Sequence, residues 1–186
     1  MIERLLESIR NAPVIKRGEY NYFVHPIADG IPEIDPVLLE EIVAAIIKTA
    51  DCNCDRIVSI EAMGIPICIA LSLALRKPVT IIRKRPYGFK GEFKCQVKTG
   101  YSENTFYING IEPSTRVLLI DDVLSTGNTL AGIIAALESS NVVFSDIVVC
   151  ISKKNDSELR QSLDKRVKSL VKIAVNEKGI EVLSHV

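Results

Sequence analysis

V-L-L-I-D-D-V-L-S-T-G-N-T-L, residues 117–130, joins three pieces of distinct chemistry. The apolar run Val117, Leu118, Leu119 and Ile120 fits a strand buried on both faces. It stops at two acids, Asp121 and Asp122. Two residues later come Ser125, Thr126, Gly127, Asn128 and Thr129, and then a helical apolar pattern. Acids and hydroxyls thus gather at the carboxyl end of a parallel strand, the edge at which open α/β sheets bind ligands. The next helix begins there with unpaired N–H groups and the positive end of its dipole, which suit an anion. Gly127 lets the backbone approach a phosphate, and Ser125, Thr126 and Thr129 supply hydroxyl donors. Asp121 and Asp122 would repel a phosphate they faced. One sugar's length away they can accept hydrogen bonds from vicinal hydroxyls or sit close to a Mg²⁺ ion. The stretch reads as a phosphate cradle at one end of a polyol, against the plainer reading of a capped turn before a helix.

Outward from it, short β-rich runs alternate with helical patterns, the signature of βαβ units on a largely parallel sheet with flanking helices. Strands are predicted at 57–60, 79–83, 117–120, 147–151 and 171–175, and helices at 66–75, 129–139 and 157–165. Ile2, Leu5, Leu6 and Ile9 recur at helical spacing, and Asp35-Pro36 opens a longer helix through Ile47. Two stretches break the rhythm. Residues 13–34 are irregular and dense in aromatics, fitting either a packed loop or a lid over an aromatic ligand. Residues 83–110 are polar and too long for an ordinary connection, so they form either a mobile functional loop or a small hairpin.

At 186 residues and 47% hydrophobic, the chain suits one α/β domain. Lys+Arg and Asp+Glu both number 23, so no global basic field draws the protein to nucleic acid or anionic lipid. The N-terminus has no secretion-like apolar core, and no run of about 18 apolar residues suggests a membrane span; a cytoplasmic protein is expected. Five cysteines and no signal favour reduced thiols, and Cys52 with Cys54 lacks the second pair or histidine of a zinc site. Neither G-x-x-x-x-G-K-[ST] nor G-x-G-x-x-G occurs.

A second strand-to-helix turn, Glu61-Ala62-Met63-Gly64-Ile65-Pro66, opens on the same edge. The N–H groups of Ala62, Met63 and Gly64 can face a second anion there, although an ordinary βα turn reads the same way. Arg83-Lys84-Arg85 clusters three positive charges at the end of the next strand. Such runs are usually solvated, but this one lies beside two candidate anion loops.

With these residues in view, the 117–130 stretch resembles the 5-phosphoribosyl-1-pyrophosphate signature of the type I phosphoribosyltransferases. Over nearly its full length, through K-R-G-E-Y-N-Y-F-V-H-P, E-A-M-G-I-P, R-K-R-P-Y-G and Y-I-N-G-I-E-P, the chain resembles the archaeal hypoxanthine and guanine phosphoribosyltransferases. The resemblance implies a hood at residues 1–35, a flexible loop at 84–110, and transfer of a phosphoribosyl group from phosphoribosyl pyrophosphate to a purine base. It implies that Asp121 and Asp122 hold the ribose hydroxyls and that Ser125, Thr126, Gly127, Asn128 and Thr129 hold the 5-phosphate. Glu61, Ala62, Met63 and Gly64, with Arg83, Lys84 and Lys90, would then take the pyrophosphate. Mg²⁺ would be carried by the pyrophosphate and ribose hydroxyls without a firm protein ligand. Phe23 in the hood is the expected base contact, the alternative being a core residue, and Glu103 in the loop is the expected proton acceptor. E-A-M-G-I-P is also similar to the E-A-R-G turn of adenine phosphoribosyltransferases, with Met63 in place of arginine, so an adenine enzyme is a rival. A second rival, a non-catalytic phosphoribosyl-pyrophosphate sensor, would need DNA-binding length or charge that this sequence lacks. Relatives are commonly homodimers.

Overall fold

A computed structural model describes residues 2–18, 20–98, 103–177 and 179–186, with the side chains of Lys98 and Glu103 also outside the description. The chain opens with α1 (Glu3–Arg10), a hairpin of β1 (Val14–Arg17) and β2 (Tyr20–Phe23), and the single-turn α2 (Pro26–Asp29). Then α3 (Pro36–Thr49) begins as the sequence predicts, with Asp35 Oδ1 accepting from the N–H of Val37 at 2.9 Å and Pro36 in the first turn, where its missing N–H costs nothing. The α/β alternation follows as β3 (Arg56–Ile60), α4 (Gly64–Leu75) and β4 (Val79–Ile82). A second hairpin, β5 (Phe93–Lys98) and β6 (Glu103–Ile108), precedes β7 (Arg116–Leu124) and α5 (Asn128–Ser139). The chain ends with β8 (Val143–Lys153), α6 (Glu158–Leu163), β9 (Lys168–Asn176) and β10 (Gly179–His185).

The central sheet runs in the order β10-β9-β8-β7-β3-β4, parallel except for the antiparallel β10 at one edge. The strands alternate their side chains between two cores, as a pleat with both faces covered must. Ile57, Leu118, Ile120, Val148 and Cys150 face the layer of α1, α3 and α4. Val58, Val117, Leu119, Ile147 and Val149 face the layer of α5 and the β5–β6 hairpin.

Within residues 84–110, of which 99–102 lie outside the described residues, β5 and β6 pair as a hairpin, one of the two readings the sequence allowed. Its apolar alternation explains why: Cys95, Val97, Phe106 and Ile108 are buried together. Cys95 Sγ donates to the carbonyl of Gly132 at 3.1 Å, and a Cβ on Gly132 would come within 2.6 Å of Val97 Cγ2, so hairpin and α5 are in close contact. Among the described residues no helix is long and apolar enough to cross a membrane.

Candidate active site

From β3 the chain leaves towards β4 at one side of the sheet, and from β7 it leaves towards β8 and β9 at the other. The order therefore reverses between β3 and β7, which are direct neighbours. Their two following loops diverge to opposite faces and leave a crevice at the carboxyl ends, the usual ligand position in such sheets. One loop is Glu61-Ala62-Met63 ahead of α4, with a cis Glu61–Ala62 peptide. The other is Ser125-Thr126-Gly127 ahead of α5.

Asp121 and Asp122 sit inside β7 and do not follow it as expected, because the strand continues to Leu124 and pairs with β8 as far as Ser152. They are fixed to the sheet itself. Burial raises the Asp121 carboxyl well above the usual carboxylate range, and the neighbouring Asp122 adds to the shift. Burial likewise raises Asp122 to about 6. Two carboxyls side by side in a recess resist double ionisation, so both are held above the ordinary carboxylate range. The ionised pair is the better acceptor, so hydroxyl donors or a nearby cation would draw the proton off it.

Ser125, Thr126, Gly127 and Thr129 form with Asp121 the wall of a small recess of about 110 Å³. Gly127, at φ +87°, is the N-cap of α5, and no side chain caps the helix, so its first N–H groups are open to an anion. Asn128 is the first helical residue, and its Nδ2 donates to Thr126 Oγ1 at 3.4 Å. Cradle and acids are thus brought together as expected.

Across the crevice, Glu61 accepts from Arg83 Nε and from the N–H of Lys84 at 3.1 Å. Burial opposes ionisation of Glu61, but Arg83 and Lys84 outweigh it and hold the carboxyl below its ordinary value. The guanidinium of Arg83 is held in turn by Glu61. Loop and basic cluster are therefore joined before any ligand arrives. Gly64 closes the turn against the acids: a Cβ there would lie 2.2 Å from Ser59 Oγ and 3.1 Å from Asp121 Oδ1. Gly64→Ala must displace the buried Ser59 side chain of β3 or push α4 off β3 and β7, and a shift of about 1 Å at a reacting centre costs up to roughly 10²-fold in rate. We expect kcat/KM to fall roughly 10- to 100-fold with the fold retained, read by steady-state kinetics beside a thermal melt.

Two expected contacts are not where the sequence put them. Phe23 is 3% exposed and takes the core alternative, because it is the inward-facing end of β2, so it offers no open face to a planar ligand. Lys90 lines a recess with Gly110, Pro113 and Asn141, near the amino end of β7 and the end of α5, which is the opposite edge of the sheet from Asp121. Glu103 begins β6, and its side chain lies outside the described residues.

The β1–β2 hairpin reaches the crevice through another residue. Tyr20 of β2 places its hydroxyl 3.4 Å from Ser125 Oγ and accepts from Lys153 Nζ. Lys153, the last residue of β8, is 8% exposed, and its ammonium lies 4.2 Å from the Tyr20 ring centre. Burial raises the Tyr20 phenol, but the Lys153 and Ser125 contacts outweigh it and the net shift is downward. These residues border a cleft of about 290 Å³ with Asn21, Asn155 and Val175, contiguous with the cradle through Ser125 and Thr126. The sequence carried a signal for Lys153. It ends an apolar strand at the same edge as Arg83-Lys84-Arg85, and the rule that flagged that cluster applies equally to Lys153-Lys154.

Residues 36–185 match the model of the phosphoribosyl transferase domain, and the chain belongs to that family. Within it, the chain is 45% identical over 185 residues to the hypoxanthine/guanine phosphoribosyltransferase of Ferroglobus placidus, covering 100% of this chain and 99% of the relative. It is 50% identical over 182 residues to the enzyme of the same name from Methanosarcina acetivorans, covering 98% and 96%. Among solved structures, adenine phosphoribosyltransferase from Thermoanaerobacter pseudethanolicus shares the fold at a TM-score of 0.73 and 20% identity, over 92% of this chain and 99% of that one. The Saccharomyces cerevisiae adenine enzyme, complexed with an imino-altritol bisphosphate and adenine, gives 0.70 at 19% identity, over 90% and 96%.

Proposed function

We propose that this protein converts hypoxanthine and guanine, with 5-phosphoribosyl-1-pyrophosphate, to IMP and GMP plus pyrophosphate, as a cytoplasmic salvage enzyme. Full-length similarity to relatives of that name supports the reading. The observation in the structure that carries it over an adenine enzyme is Lys153. An ammonium donates hydrogen bonds and accepts none. Buried at the mouth of the cleft between hood and cradle, it suits the 6-oxo group of hypoxanthine or guanine and would meet the 6-amino group of adenine donor to donor.

In this reading the cradle Ser125, Thr126, Gly127, Asn128 and Thr129 takes the 5-phosphate, and Asp121 and Asp122 accept from the ribose hydroxyls. The N–H groups of Ala62, Met63 and Gly64, with Arg83 and Lys84, take the pyrophosphate, which displaces Glu61 from Arg83. The base attacks C1 through a ring nitrogen, the bond from C1 to the pyrophosphate oxygen breaks with its electron pair, and the nitrogen proton passes to an acceptor, for which Glu103 is our candidate. No covalent enzyme intermediate is needed; positioning and preorganised charge supply the rate.

The donor set fits magnesium in one respect: Asp121, Asp122 and Glu61 offer hard oxygens. Among the described residues no group of three or more such side chains could hold a metal, so the ion would complete its shell from substrate oxygens. When bound it supplies neutralisation of the leaving pyrophosphate. We also propose a homodimer, whose contact is the largely apolar surface of α3 and α4 where Val37, Ile47, Ile69 and Leu73 are exposed and Glu40 is the charged residue lining the groove; light scattering reads it.

Separate assays with hypoxanthine, guanine, xanthine, adenine and orotate, each with Mg²⁺ and phosphoribosyl pyrophosphate, test the assignment. We expect turnover of hypoxanthine and guanine and at least 10²-fold lower kcat/KM for adenine. Turnover of adenine alone would replace the substrate, and ligand binding without turnover of any base would favour a sensor.

A further inference from the structure

Arg160 is 1% exposed and the largest fully buried side chain among the described residues. It projects from the short α6, an element given no part in the site so far. Its Nη1 donates to the carbonyls of Leu124 at 3.2 Å, Ser125 at 2.5 Å and Lys153 at 3.1 Å. Its Nη2 donates to Ser152 Oγ at 2.8 Å and to Asp164 Oδ1 at 3.0 Å. One guanidinium therefore gathers the end of β7, the first residue of the cradle and the end of β8. The cradle also rests on α6 directly, since a Cβ on Gly127 would lie 2.5 Å from Leu163 Cδ1 and 3.0 Å from Arg160 Cδ.

We infer that Arg160 is the positioning residue of the phosphate cradle, aiming its amide donors by holding its carbonyls from behind. In a trans peptide the C=O and the following N–H point in opposite directions. When Leu124 and Ser125 turn their carbonyls inward to Arg160, the N–H groups of Ser125 and Thr126 turn away from it, towards the ligand side. Lysine cannot replace it, because a single ammonium lacks the planar fork that spans carbonyls on two strands and a hydroxyl at once. Through the Lys153 carbonyl the same fork ties the cradle to the strand end that carries the buried ammonium, so the distance between phosphate and base subsites is set by one side chain.

The inference rests on reading this loop as the 5-phosphate site, and ligand binding separates the two. Ribose 5-phosphate and magnesium pyrophosphate are titrated calorimetrically into wild type, Arg160→Lys and Ser152→Ala, with melts as controls. Arg160→Lys should weaken ribose 5-phosphate binding at least 30-fold while changing pyrophosphate binding less than 3-fold, and Ser152→Ala should weaken ribose 5-phosphate several-fold. A folded Arg160→Lys protein with unchanged ribose 5-phosphate affinity, or with both ligands weakened by the same factor, overturns the inference. If Arg160→Lys does not fold, Ser152→Ala decides by the same criterion. Wild type that binds ribose 5-phosphate but turns over no purine would defeat the proposed function and leave this role standing.

Discussion

Replacing Asp121 and Asp122 together by asparagine should lower phosphoribosyl transfer by at least 10³-fold while raising the melting temperature of the ligand-free protein at pH 7.5 by roughly 3–6 °C. The two effects have one cause. Both carboxyls have folded-state pKa values above the ordinary aspartate range, Asp122 at about 6 and Asp121 raised well above that range by burial and its neighbour. A raised pKa means the folded protein binds the proton more tightly than the unfolded chain does. The stability from that binding is present below pH ~4 and is lost as the pH rises through about 6 and beyond. At pH 7.5 the wild type carries the cost of ionised, crowded carboxylates, and the asparagine pair does not. The stabilisation should therefore shrink towards zero in melts at pH 4. Asparagine keeps the size but loses the charge that meets ribose hydroxyls and a metal-bearing substrate. The same titration predicts that phosphoribosyl pyrophosphate binds wild type more tightly as the pH rises through about 6. Undiminished activity in the double variant would remove these acids from the site, and a lowered melting temperature would refute the strain assigned to them.

Much of this site was legible in the sequence because it is built on the sheet. Strands expected at 57–60, 79–83 and 117–120 are found as β3, β4 and β7, and Ser157 caps α6 through its hydroxyl, which accepts from Arg160 N at 3.4 Å. Local patterns set these elements, and the parallel order then brings their loops to one edge. What escaped was decided by tertiary contact. Gly179-Ile180-Glu181-Val182 alternates weakly, and it becomes β10 only because β9 offers an edge to pair with. Phe23 and Tyr20 belong to one strand of alternating faces, and the inward position went to Phe23 while Tyr20 remained 48% exposed beside Ser125. Aromatic density marked the segment, and only the register assigned its residues. Arg160 lies in a polar stretch, E-L-R-Q-S-L, that reads as a solvated helix face. Its burial depends on unpaired carbonyls of β7 and β8, which no local pattern records.

Lys153→Met should lower kcat/KM for hypoxanthine and guanine by about 10²- to 10³-fold, leave the KM for phosphoribosyl pyrophosphate within 3-fold, and leave or slightly raise the melting temperature. Lys153 is 8% exposed, lies 4.2 Å from the Tyr20 ring centre and 5.6 Å from that of Phe23, and figures in none of the ion pairs among the described residues. A desolvated ammonium without a carboxylate costs the free protein stability, so a methionine of similar length does not destabilise it. The loss should fall on the base because a polar group built to meet a substrate oxygen discriminates strongly against its absence. Adenine turnover should not appear, since methionine offers the 6-amino group only a weak sulfur acceptor. Lys153→Gln separates charge from hydrogen bonding: the amide N–H can still meet the 6-oxo group, and recovery of at least 10-fold over methionine would show that donation governs the choice of base. If Lys153→Met costs less than 3-fold with either base, the ammonium does not read the purine. The cleft would then need another donor, and its lining also offers Tyr20, Asn21, Lys154 and Asn155.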